Sequence, residues 1–332
     1  MSFNVDLHRH TIKLPARVGG VRPGDARPLE MSVVEAGPAY GDKDQAPVMV
    51  LIHGFGGRAA YWEAQLEQFQ DNFRVIALDL RGHGYTDAPD AGDGAEYDVP
   101  ELVADIACAL DVLQVPQRFI LISHSFGGAL ASYFMRRYPG RVSSLVIIAS
   151  AVRFRLRLAG RMLLRVPPSI LDWVRELMPL VGLDAARLYP PSHVVYLQNK
   201  NALATWDGTE NLRAIDAPTL VILGHRDILF AAESYQDVAR LIPGAQEVVV
   251  PVSAHQVMVE RPDAVNRAIE HFLEGQIDPM VLAEAKIAQK AARRALRRQL
   301  EAQRPWLKFY DARTPYNIKP PQAPLPRLLE AT

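Results

Sequence analysis

The stretch that most constrains this fold is Arg118-Phe119-Ile120-Leu121-Ile122-Ser123-His124-Ser125-Phe126-Gly127-Gly128-Ala129-Leu130. Phe119 to Ile122 is an apolar, β-branched run, the pattern of a buried strand. Ala129 to Tyr138 is compatible with a helix. A strand that becomes a helix within about five residues must turn very tightly. The residue at the apex is lifted off the sheet, and the positive end of the new helix points at it. Here that residue is Ser125, and small neighbours leave room for the turn.

The remaining chain alternates in the same way. Residues 3–14 and 29–36 read as two antiparallel edge strands. Val48–Ile52 is a continuous apolar run, as expected of a strand covered on both faces. A helix over Ala59–Gln70, a strand over Arg74–Asp79 and a helix over Val99–Leu113 lead to the central stretch. A strand over Ser144–Ala149 follows. The alternation breaks at 151–213, which is apolar-rich without a convincing strand. It resumes with a strand at Pro218–Gly224, a helix at 232–241, a strand at Glu247–Val250 and a helix at 262–273. Strands alternating with helices predict a mostly parallel sheet with helices on both faces. Ligands in such sheets sit beyond the carboxyl ends of the strands.

The chemistry-bearing residues fall at those ends. His53-Gly54-Phe55-Gly56-Gly57 follows one strand. Its glycines can bring backbone N–H groups close to a developing negative charge, or they can serve an ordinary strand-to-helix turn. Asp79-Leu80-Arg81-Gly82-His83-Gly84-Tyr85-Thr86-Asp87 follows the next. Asp227 lies four residues past Leu223 of a third strand and could also cap a helix beginning at Ile228. His255 follows the last strand, in Ser253-Ala254-His255-Gln256, and the chain continues to Glu260-Arg261-Pro262. A serine nucleophile needs a base, and the base needs a carboxylate to fix its tautomer. His271, the other histidine after Asp227, falls within a helix.

Together these segments resemble the α/β-hydrolase superfamily. Ser123-His124-Ser125-Phe126-Gly127 is similar to its Gly-x-Ser-x-Gly nucleophile elbow, with Ser123 in place of the first glycine. The resemblance implies the α/β-hydrolase fold, divided as core residues 1–150, a helical cap at 151–213, core residues 214–275, and a basic helix with a Pro-rich tail at 276–332. It implies Ser125 as nucleophile, His255 as base and Asp227 as acid, in the family's chain order. The amides of Phe55 and Phe126 would form the oxyanion hole, and His53 would hold its loop. His124, Trp173 and Met178 are the expected substrate contacts. Neither metal nor organic cofactor is implied.

The expected activity is cleavage of a carboxylic ester of a largely hydrophobic small molecule through an acyl-enzyme. A serine at the elbow disfavours dehalogenases and epoxide hydrolases, which carry Asp there. The related carbon–carbon bond hydrolases often place Asn before the nucleophile and Trp after the catalytic histidine, where this chain has His124 and Gln256. Cofactor-free lyases, acyltransferases and non-turnover ligand receptors share the scaffold and stay open.

Composition bounds the partners. Lys plus Arg and Asp plus Glu are 37 each, so net charge gives no argument for nucleic acid. One cysteine excludes an internal disulfide, and no apolar run approaches membrane-spanning length. With no apolar targeting core near Met1, a cytoplasmic location is the expectation. Arg153, Arg157, Arg161 and Arg165 form a helical stripe. A membrane surface or a substrate carboxylate would suit it, and a solvated face is the favoured reading. From Asp278 onward eleven Lys/Arg stand against five Asp/Glu. That segment fits either a helix contacting a membrane or acidic partner, or one packed on the domain.

Overall fold

A computed structural model describes residues 3–15, 28–38, 46–90, 95–155, 172–173, 177, 189–230, 232–274 and 298. Eight strands form one sheet: β1 Arg9–Leu14, β2 Leu29–Ala36, β3 Val48–Ile52, β4 Arg74–Leu78, β5 Phe119–His124, β6 Val142–Ile148, β7 Thr219–Gly224 and β8 Gln246–Val250. Their order is β1-β2-β4-β3-β5-β6-β7-β8. β1 pairs antiparallel with β2, and β2 with β4; the other neighbours are parallel.

The apolar strand runs have a simple cause. Val48, Val50 and Ile52 of β3 enter one core cluster, while Met49 and Leu51 enter the other. Side chains alternate along a strand, so both faces must be apolar when both are covered. The helices α2 (Val99–Val112) and α3 (Phe126–Arg137) cover one face through Leu102, Ile106, Leu130 and Phe134. On the other face lie α1 (Glu63–Phe69) and two later helices, Val257–Glu260 and Pro262–Glu274. They contribute Leu66, Phe69, Met258, Val265 and Ile269.

Two expected elements begin differently. Val5–His8 is a 3-10 turn, not strand, because the Asn4 side chain accepts the Asp6 amide at 3.0 Å. The helix expected from Ala59 opens as a 3-10 turn, Ala59–Trp62, whose first amide donates to Asp79 Oδ1 at 2.6 Å. Within 151–213 the described residues hold α4 (Ser192–Gln198), a π-helical turn (Asn199–Leu203) and α5 (Thr209–Arg213). After β7 come α6 (Ala232–Leu241), then α7 (Val257–Glu260) and α8 (Pro262–Glu274). Apart from Arg298, the basic helix and Pro-rich tail expected at 276–332 lie outside the described residues. Among the described residues no helix is long and apolar enough to cross a membrane.

The sheet order locates the site. From β3 the chain moves to β4 on one side, then returns to β5 on the other. Ligands in such sheets bind at this reversal, beyond the carboxyl ends. The loop after β3 and the elbow after β5 face each other there.

Candidate active site

Ser125 stands between β5 and α3 with φ 53° and ψ −119°. A non-glycine residue at positive φ costs about 1–3 kcal/mol and persists only where its surroundings enforce it. Here the Ser125 amide donates to Ile148 O at 2.8 Å, and its carbonyl accepts the Gly128 amide at 2.9 Å. The neighbouring glycines are sterically required. A Cβ on Gly127 would lie 2.7 Å from Ile52 O, and one on Gly128 would lie 2.4 Å from Ser150 Oγ. At Ser123 the side chain is tolerated: it is buried, and its hydroxyl donates to Val146 O at 3.2 Å.

Ser125 Oγ lies 2.9 Å from His255 Nε2, and His255 Nδ1 lies 2.8 Å from Asp227 Oδ2. The structure thus brings together the three residues that the sequence places after three different strands. With Nδ1 donating to the carboxylate, Nε2 is left to accept the serine proton. The Asp227 carboxylate receives two more donors at Oδ1, Tyr235 O–H at 2.6 Å and the Leu229 amide at 3.1 Å. Burial would raise its pKa, but the bonds from His255, Tyr235 and Leu229 hold it below the usual carboxylate value. Burial and the adjacent Asp227 charge push the Tyr235 phenol far up, so it remains a donor.

Glu260 explains the residues that follow His255. Its Oε2 accepts the Ala254 amide at 2.7 Å and its Oε1 accepts the Gln256 amide at 3.0 Å. The amides on both sides of His255 are therefore tied to one carboxylate.

His124 is 2% exposed, and its Nε2 donates to His255 O at 2.9 Å. The two rings lie 4.9 Å apart. Burial first, then the neighbouring His255, pushes the His124 pKa down to about 3. This bond ties its imidazole to the backbone of His255, beside the role of substrate contact expected from sequence. Trp173, also expected at the substrate, is 61% exposed. Met178 lies outside the described residues.

On the opposite side, His53 and His83 brace the glycine loop. His53 Nδ1 donates to Gly54 O at 2.7 Å, and its Nε2 accepts the Leu80 amide at 3.0 Å. His83 Nδ1 donates to Arg81 O at 2.9 Å, and its Nε2 accepts the Gly56 amide at 3.2 Å. Burial keeps the pKa of both below the ordinary histidine value, most strongly at His53, where the nearby His83 adds to the effect. The Gly57 amide turns back to Gly54 O at 3.0 Å. This leaves the Phe55 amide for another acceptor. Phe126 is the first residue of α3, so its amide has no partner within the helix. A Cβ on Gly54 would fall 2.8 Å from Ser125 Cβ, which measures how closely this loop approaches the elbow.

The Asp79 loop supports this arrangement from below. Asp79 Oδ2 accepts Arg9 at 2.6 Å and the Tyr85 amide at 3.3 Å. Arg81 reaches away from the site to Asp105, with bonds of 2.7 and 2.9 Å, and to Glu101 at 3.2 Å on α2.

Tyr235 is the site residue that sequence reasoning missed. It stands eight positions after Asp227, on α6. The available signal was a tyrosine one helical turn into the element after the acid loop, which is weak by itself.

Comparison with known proteins agrees with this geometry. Residues 47–182 match a family model described as the alpha/beta hydrolase fold. A Bacillus subtilis protein named provisionally as 2-succinyl-6-hydroxy-2,4-cyclohexadiene-1-carboxylate synthase is 29% identical, covering 72% of this chain and 96% of that protein. The 2-(acetamidomethylene)succinate hydrolase of Mesorhizobium japonicum is 27% identical, covering 70% of this chain and 90% of that protein. A thermophilic esterase from Thermogutta terrifontis, solved with malate bound, is 25% identical with a TM-score of 0.62, covering 80% of this chain and 98% of the esterase. The sheet order and the elbow are those of the α/β-hydrolase fold, these matches support the α/β-hydrolase superfamily, and the chain is an enzyme of the hydrolase class.

Proposed function

We propose that this enzyme cleaves carboxylic esters of largely hydrophobic small molecules through an acyl-enzyme on Ser125. The observation that carries the reading is the unbroken relay from Ser125 Oγ through His255 to Asp227, at 2.9 and 2.8 Å. Ser125 attacks the ester carbonyl while His255 Nε2 takes its proton. Asp227 holds the imidazolium that forms. The amides of Phe55 and Phe126 receive the oxyanion, and loss of one such donor typically costs about 10²–10³ in rate. His255 returns the proton to the departing alcohol. It then deprotonates a water that releases the acid from Ser125.

The surroundings favour an apolar substrate. Phe126, Phe154 and Phe230 form an edge-to-face series with centroids 5.6 and 5.3 Å apart, and Phe230 packs edge-on to His255 at 5.7 Å. Of the basic stripe, Arg153 is committed to Asp207 at 2.5 Å, which argues against a grip by this residue on a substrate carboxylate. The likeness to an esterase supports ester cleavage.

The test is hydrolysis of p-nitrophenyl esters of graded acyl length by wild type and Ser125→Ala. Turnover that falls by about 10⁴-fold or more in the variant is expected. Activity surviving in Ser125→Ala would overturn the mechanism. No turnover by folded wild type would move the assignment to the lyase, acyltransfer, carbon–carbon hydrolase or receptor readings of the same scaffold.

A further inference from the structure

Helix α4 and the π-helical turn after it bury Val194, Gln198 and Ala202. Val194 and Gln198 are four residues apart, so they share a helix face. Val194 and Ala202 belong to the same apolar cluster as Phe126 and Phe230, the aromatics beside the elbow and His255, and Phe154 packs against that cluster. Gln198 sits between these two cluster residues with 0% exposure. Yet neither its Nε2 nor its Oε1 has a hydrogen-bond partner among the described residues. A buried carboxamide with both ends unpaired is costly, and native interiors almost always satisfy such groups.

Two further observations connect this amide to the site. The turn at 199–203 is wide, closed by the Ala204 amide on Asn199 O at 2.9 Å, and π-helical turns occur frequently at functional sites. Helix α4 is also seated on the loop that braces the glycine loop. Both Val194 methyls lie 2.7 Å from where a Cβ on Gly82 would stand, and the next residue, His83, holds the Gly56 amide.

We infer that Gln198 is a substrate-recognition residue whose carboxamide pairs with a primary amide group on the substrate. The inference rests on the ester-hydrolase reading. A primary carboxamide presents an N–H donor and a C=O acceptor on one edge, matching Oε1 and Nε2 together. A carboxylate would leave Oε1 without a donor and bring a charge into an apolar interior. An alkyl chain would leave both ends of Gln198 unpaired. The preferred substrate is therefore an ester that carries a neutral amide on an otherwise apolar frame.

The experiment compares p-nitrophenyl esters whose acyl chain ends in a primary carboxamide after three, four or five methylenes with alkanoate esters of matched length. Wild type and Gln198→Leu are measured in parallel, and Gln198→Met is used if the Leu variant does not fold. In wild type the best-placed amide ester is expected to exceed its alkanoate in kcat/KM by about tenfold or more, because polar sites discriminate strongly for the group they pair. In the variant that ratio should fall to about one or less, through a raised KM for the amide ester, with alkanoate turnover kept or improved. An unchanged ratio overturns the inference and assigns Gln198 to a buried water. Equal preference in wild type at all three positions overturns it as well. Should wild type hydrolyse neither series, the ester reading fails separately. Gln198 is then read by binding of hexanamide followed by tryptophan fluorescence, and equal affinity in wild type and variant overturns the inference.

Discussion

The loops after β3 and β4 and the loops after β7 and β8 both fix imidazoles at the rim of one sheet, with different partners. His255 has a carboxylate on Nδ1 and a hydroxyl on Nε2. Taking up a proton at Nε2 breaks no bond it makes as a donor, and the resulting charge faces Asp227. His53 and His83 have carbonyls on Nδ1 and amide N–H groups on Nε2. A second proton on either would set N–H against N–H inside the protein. Residue type is the same on both sides, and the partner atoms separate a base from a brace. The comparison also shows why His53, although next to the site, is not an alternative base.

The largest test of that contrast replaces the carboxylate. Asp227→Asn keeps the shape but turns a donor toward His255 Nδ1, which drives the imidazole proton to Nε2. That is the wrong tautomer for accepting the Ser125 proton, and in a comparable triad the change costs about 10⁴ in kcat. A similar loss is expected here, read as kcat on the best p-nitrophenyl ester. A loss below about tenfold would mean that His255 does not depend on its partner in the way described.

The brace side is tested by acid. His53, His83 and His124 all have folded-state pKa values below the ordinary 6.5, with His124 at about 3. The unfolded chain therefore binds protons below pH 6.5 that the folded chain refuses. Stability is full above that pH and is lost as pH falls toward each folded value. A histidine that is neutral in the folded chain and protonated in the unfolded one contributes a slope of at most about 1.4 kcal/mol per pH unit. Asp227, whose folded value is depressed, adds to the loss only below the ordinary carboxylate range. Urea unfolding at pH 7.5, 6.0 and 5.0 should show this decline, and His83→Gln should lower the slope by about one histidine's share. A flat stability profile across these pH values would contradict the neutral pairing of the loop histidines.

A smaller effect is expected at Tyr235, which belongs to the base side without touching Ser125. Tyr235→Phe removes one of three donors to Asp227. A hydrogen bond to a charged group contributes about 1.5–3 kcal/mol, and part of this is recovered by solvent, so kcat should fall about tenfold. KM should stay unchanged, since the phenol positions the acid and does not hold substrate. With a donor lost, the Asp227 pKa rises, and the acidic limb of the kcat profile should move to higher pH. Loss of stability with an unmoved pH profile would make Tyr235 a packing residue only.

These residues also mark how much was legible beforehand. Strands β3 to β7 could be read because burial on two faces forces continuous apolar runs, or nearly so, whereas β8 is exposed from Gln246 to Val249 and was legible only through its run of valines. Ser125, Asp227 and His255 could be read because each follows a strand and the sheet brings those ends together. The turn at Ala59–Trp62 depends on a carboxylate twenty residues away, at Asp79, and leaves no local signal. Tyr235 and Gln198 were hidden for the same reason. One acts through α6 folding back over the acid loop, and the other is notable only for lacking a partner once buried. Adjacency to the nucleophile suggested substrate for His124, and the bond that strand β5 lets its ring make to the backbone of His255 left no signal in the sequence.

Ser123 gives the smallest and most diagnostic effect. It stands where the elbow pattern has glycine, yet its hydroxyl is bonded to Val146 O across the β5–β6 pair. If the turn itself demanded glycine, Ser123 would be strained and Ser123→Gly would stabilise the protein. The positive φ is at Ser125, however, and not at Ser123. Restoring glycine therefore removes a buried hydrogen bond and adds chain entropy to the unfolded state, for a loss of about 1–2 kcal/mol. The catalytic atoms are untouched, so kcat should stay within about twofold. Denaturant unfolding beside steady-state kinetics reads both quantities. A stabilised variant would place strain at Ser123 after all, and a large loss of kcat would make its hydroxyl part of the chemistry.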